Sequence, residues 1–161
     1  MACARLFLVL GLGLAAAACG GSAPPRELHG LWSAGQAACA AGVGVRFGSD
    51  AIQAVYDQQR ETLFEHPTYE VEGHGDAFRV RISYELPRRP GGAHVVGARG
   101  SLVLVRDGRG GIVPEAHNLI DGRTGAARVQ LDNDPALAVL SLKPCGEDHP
   151  FREGLRGRAH A

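Results

Sequence analysis

The chain has 161 residues, with 17 basic and 17 acidic side chains and a formal net charge of zero. That balance leaves no electrostatic footprint for nucleic acid. Hydrophobic residues make up 45%, enough for one core in a domain of about 125 residues, yet no apolar run approaches the ~20 residues that a bilayer-spanning helix needs.

The elements begin with a targeting segment. Met1 to Arg5 carries a single positive charge, and Leu6 to Leu14 is apolar but broken by Gly11 and Gly13. This arrangement predicts a secretory signal over residues 1–18 rather than a membrane helix. It ends in Leu14-Ala15-Ala16-Ala17-Ala18-Cys19, which resembles a bacterial lipobox. The resemblance implies that Cys19 takes lipid and anchors the protein to a membrane. Gly20 after the cysteine, where aspartate would hold a lipoprotein at the inner membrane, implies an outer-membrane protein facing the periplasm. Ala16-x-Ala18 also suits ordinary signal peptidase, which would release a soluble periplasmic protein. Residues 19–27 then read as a lipidated tether, flexible through Gly20-Gly21-Ser22-Ala23-Pro24-Pro25.

The four cysteines divide by position. Cys3 leaves with the signal and Cys19 is the acylation site. Cys39 and Cys145 remain, and in an oxidising compartment they most simply pair, the alternative being two buried free thiols. On the chain-entropy model so long a loop gives a bridge worth about 4–5 kcal/mol. No C-x-x-C pair suggests a metal.

From residue 28 to 148 the chain alternates rather than following a helical period. Leu28 to Ser33 and Val43 to Phe47 read as the first strands. Between Ser49 and His66 two patterns compete. Ile52, Val55, Tyr56 and Leu63 share a helical face, but Gln58-Gln59-Arg60 leaves one turn of that face empty. Two strands, Ala51 to Tyr56 and Glu61 to Phe64, are favoured over a short helix near 50–65. In the clearest strand, Ala77 to Tyr84, Phe78, Val80, Ile82 and Tyr84 point one way and Arg79, Arg81 and Ser83 the other. It pairs with Tyr69 to Glu72 across a Gly73–Asp76 turn, a symmetric hairpin placing Val71 opposite Phe78 and Glu70 opposite Arg79. Then come Leu102 to Val105, an Asp107-Gly108 turn and Gly111 to Ile120, with Pro114 marking an edge or a bulge. After an Asp121-Gly122 turn, Ala127 to Leu131 turns Val129 and Leu131 inward, and Ala136 to Leu142 closes the series. Residues 149–161 read as a disordered basic tail. The fold class is therefore mostly β: a small antiparallel barrel or sandwich of about eight strands.

Gly30-Leu31-Trp32 resembles the G-x-W start of lipocalin-like small barrels. There the tryptophan closes one end of the barrel, which implies that Trp32 is a core plug.

Chemical motifs are sparse. The seven histidines, at 29, 66, 74, 94, 117, 149 and 160, include no H-E-x-x-H. His94, His117 and Glu115 form the one conceivable zinc set, and solvated or locally bonded histidines are the favoured reading. Ser101 lies outside any G-x-S-x-G elbow. No catalytic, metal or cofactor set is read. Pro114 to Gly125 is the richest polar stretch, and His117, Asn118, Asp121 and Arg123 are its candidate binding surface, together with the edge near Pro114. The simpler account of that stretch is a strand end and tight turn in which Asn and Asp bond the backbone. The expected function is an envelope-anchored lipoprotein with a non-enzymatic binding or structural role toward an envelope protein or wall component. The alternatives are a carrier of a small apolar ligand and an envelope hydrolase.

Overall fold

Alternation needs a partner strand on each side, and the chain supplies one by folding back on itself at every turn. A computed structural model describes residues 22–87, 97–134 and 140–146. The signal, Cys19, the tail after residue 148, and His94, His149 and His160 lie outside the described residues, as does most of the expected strand at 136–142.

The strands are β1 (Leu31–Ser33), β2 (Gly44–Phe47), β3 (Ala51–Tyr56), β4 (Gln59–Gly73), β5 (Arg79–Glu85), β6 (Arg99–Arg106), β7 (Ile112–Ile120), β8 (Ala127–Asp132) and β9 (Lys143–Pro144). They form one nine-stranded antiparallel sheet in the order β8-β7-β6-β5-β4-β3-β2-β1-β9. The sheet is mostly β as the alternation predicts, but it is not closed into a barrel. One bridge, Ile112 to Leu142, ties the residue before β9 back to the start of β7. Trp32, Phe47, Ile52, Val80, Ile82, Leu104 and Ile112 come from six different strands yet share one buried cluster with Phe78 and Leu28. A single sheet gathers them only by curling around its own inner face. Trp32 is 1% exposed, and its Nε1 donates to the Leu28 carbonyl.

The region 51–64 is strand, not helix. Asp57 and Gln58 both take positive φ (46° and 61°), and this two-residue turn brings Tyr56 opposite Gln59. The short helix lies instead at Gln36–Ala40, α1. The expected strands 61–64 and 69–72 are parts of one long strand, β4. It pairs with β3 up to Glu65 and with β5 beyond it, with a bulge between Glu65 and Thr68.

The β4–β5 hairpin corrects the symmetric register. A 3-10 turn at Gly75–Ala77 and a bulge between Val71 and Gly73 place Val71 opposite Val80 and Glu70 opposite Arg81. The shift is an even number of residues, so every side chain keeps its face. Glu72 takes Arg79 and Arg81 as ion-pair partners. Pro114 sits at a bulge opposite Leu104, and the pairing of β7 with β8 begins only at Ala116. The Asp107-Gly108 turn is longer than the dipeptide suggests. Asp107 Oδ1 accepts from the backbone N–H of Arg109 and Gly111 at 2.7 and 2.8 Å.

Two features tie down the N-terminal side. Cys39 and Cys145 are disulfide-bonded, with Cα atoms 5.5 Å apart, so the helix α1 is fastened to the segment that follows β9. Residues 22–27, part of the expected flexible tether, are docked. Ser22 Oγ accepts from the Tyr69 N–H at 2.6 Å, on the stretch of β4 that has no β3 partner, and Leu28 is fully buried. No helix among the described residues is long and apolar enough to cross a membrane.

Candidate functional site

Successive residues of a strand face opposite sides of a sheet, and that rule separates the first two candidate residues. His117 lies opposite Leu102, which pairs in turn with Ile82, so it faces the inner side. Its Nε2 is 2.6 Å from the Tyr84 hydroxyl. Burial pushes the Tyr84 phenol up to about 12 and lowers the His117 imidazole. Both groups are therefore neutral near pH 7, and the direction of their hydrogen bond follows the imidazole tautomer. The Tyr84 ring also stacks on Phe64, centroids 3.9 Å apart. It crosses the inner face over Gly100, where there is no Cβ to obstruct it.

Asn118 faces outward, in a row set by register. Thr68 pairs with Ser83, Ser83 with Ser101, Ser101 with Asn118, and Asn118 with Gln130. Neighbouring strands lie about 4.8 Å apart, so the row is a ladder of hydroxyl and amide groups across β4 to β8. An open groove of about 480 Å³ lies over its first four members. His66, Glu85, Arg99 and Ile120 complete the outward-facing lining, with the strand segments at Tyr84 and Gly100 beneath. Asn118 Oδ1 is buried and has no hydrogen-bond partner. Arg99 Nε lies 3.5 Å from Glu85 Oε1, and Ile120 is 46% exposed.

Asp121 and Arg123 do not join this groove lining. Asp121 is 7% exposed. Its Oδ1 accepts from the N–H of Arg123 and Thr124 at 2.9 and 3.0 Å, and the Arg128 guanidinium donates to Oδ2. The Arg128 bonds, followed by those two N–H groups, hold the Asp121 carboxyl far below the usual carboxylate range. It is the organiser of the β7–β8 turn, and Arg123 is an exposed residue of that turn. The four candidates are thus distributed over an inner pair, an outer groove and a turn. Thr68, Ser83, Ser101, Glu85, Arg99 and Ile120 were not picked out by the sequence. The only signal for them is outward placement on alternating strands, and register alone makes them neighbours.

Trp32 is in the core and Cys39 and Cys145 are bonded to each other. Of the conceivable zinc set, Glu115 is paired with Arg79 and His117 with Tyr84. No group of three or more His, Cys, Asp or Glu among the described residues is arranged to hold a metal. Comparison with known proteins finds no matching family model, no matching curated protein and no matching solved structure.

Proposed function

We propose that this is an envelope lipoprotein, lipidated at Cys19, held at the outer membrane facing the periplasm, whose sheet binds an envelope partner through the groove over β4 to β7. The groove carries the proposal. It gathers three hydroxyls and an unbonded buried amide oxygen on a face that the core does not use. An orphaned buried acceptor costs about 1–3 kcal/mol, a cost that a bound donor would relieve once the Asn118 amide turns toward the groove. The lipobox-like segment supports the anchor. The Cys39–Cys145 bridge supports an oxidising compartment. A binding role suits the charges, because Asp121, Glu72 and Glu85 are each engaged with arginines.

The inner face does not favour a carrier. Trp32, Phe78, Ile82 and Ile112 are each at most 1% exposed, and their side chains fill the space that an apolar ligand would occupy. Two measurements test the proposal. A fatty-acid analogue fed to cells should label the wild-type protein and not Cys19→Ser. A photoreactive side chain at Ser83, which is exposed on the groove, should trap a discrete envelope component. Absence of labelling in both forms removes the anchor. Absence of any crosslink from Ser83 removes the groove as the binding surface.

A further inference from the structure

We infer that the groove is a saccharide site, taking an uncharged sugar chain across β4 to β7. The inference rests on the binding role proposed above and adds the ligand class.

Four observations select that class. β5, β6 and β7 are paired on both sides where they pass under the groove, so their backbone N–H and C=O groups are consumed in ladders. A peptide strand finds no edge to extend on these three strands, and on the unpaired side of β4 the Tyr69 N–H is taken by Ser22, so recognition falls to side chains. Those side chains are hydroxyls and an amide, Thr68, Ser83, Ser101 and Asn118, spaced by the strand separation of about 4.8 Å. A hydroxyl both donates and accepts, which matches the hydroxyls of a sugar. The guanidinium at the rim, Arg99, is offset in charge by Glu85 beside it, so the lining holds no net positive charge to draw an anion. Ile120 offers apolar surface against which the C–H face of a sugar ring can rest.

Asn118 supplies the central contact. Its Oδ1 is buried and has no partner among the described residues, so the amide must turn toward the groove for a sugar hydroxyl to complete it. Unbound, that acceptor opposes folding. Replacing it with leucine, of similar size, should therefore weaken sugar binding and at the same time stabilise the fold, the trade-off of a site residue.

The test uses the full chain purified from cells in detergent and labelled with 15N. Cellotetraose and chitotetraose are titrated to millimolar concentration, with tetra-alanine as the peptide arm. One of the sugars should shift the amide signals of Thr68, Ser83, Ser101 and Asn118. Asn118→Leu should weaken that binding at least tenfold while raising the urea midpoint. Ser83→Ala, at an exposed position that threatens no packing, should weaken it severalfold. The saccharide assignment is overturned if neither sugar shifts these signals, if tetra-alanine shifts them instead, or if both variants bind as the wild type does. A Ser83 crosslink to an envelope protein without sugar binding overturns this assignment alone. Loss of both overturns the binding role as well.

Discussion

Gly100→Ala should destabilise the fold through one ring. A Cβ at residue 100 would lie 2.6 Å from Tyr84 Cε2, and closer still to Cζ and Oη. Tyr84 is 3% exposed, and its ring stacks on Phe64, so no empty space receives it. Moving it gives up the bond to His117, worth about 1 kcal/mol, and the stack, about 0.5–1.5 kcal/mol. Leaving it in place overpacks the site at about 1–3 kcal/mol. Alanine returns about 0.5–1 kcal/mol of backbone entropy in a strand. The net expectation is a loss of about 0.5–2 kcal/mol, or roughly 5 °C in Tm for a domain of this size. Urea unfolding should show a lower midpoint at an unchanged slope. In a Tyr84→Leu background, which lacks the colliding atoms, the same substitution should cost far less, a coupling measured by a double-mutant cycle. A cost under about 0.5 kcal/mol, or an equal cost in both backgrounds, would refute the reasoning.

Three further predictions follow from other parts of the sheet. Removing the disulfide with Cys39→Ser and Cys145→Ser should cost about 2–5 kcal/mol, read by urea unfolding, while thiol titration of the denatured, unreduced wild type should find neither cysteine free. Asp57→Asn with Gln58→Gly should stabilise by about 1 kcal/mol, because both positions hold positive φ and Asn-Gly suits that turn; an unchanged or lower Tm would count against it. Asp121, whose carboxyl is depressed by Arg128 and two backbone N–H groups, contributes stability that is full above the unfolded carboxylate value, about 3.9, and is lost as pH falls toward its folded value. Asp121→Asn should flatten that part of the pH–stability curve, and an unaltered acid limb would show that Asp121 does not set it.

Much of the sheet can be read from alternation, because burial of one face repeats every second residue through Phe78–Tyr84 and Leu102–Val105. The registers cannot, since the bulges at Val71/Gly73 and Glu65/Thr68 depend on how turns close rather than on which residues are apolar. The 57–58 turn lacks its usual Asn-Gly signature, which is why the helical spacing of Ile52, Val55 and Tyr56 competes with the strand reading. The helix at Gln36–Ala40 is rich in alanine and has no buried residue, so no periodic face announces it. The disulfide follows from cysteine count. The groove is the least legible part: Thr68 and Asn118 are far apart in sequence and meet only through three successive strand pairings.

The docked N-terminus sets how far the domain can travel. Three residue steps separate Cys19 from Ser22, a span of no more than roughly 11 Å even fully extended, and Ser22 is bonded to β4. A lipid at Cys19 would therefore keep this end of the sheet within a headgroup's depth of the bilayer. Such a protein cannot sweep the width of the periplasm on a leash. With that anchor, any target would have to come to the membrane surface to meet it, and Thr68, next in sequence to the Tyr69 that holds Ser22, puts one end of the groove beside Ser22.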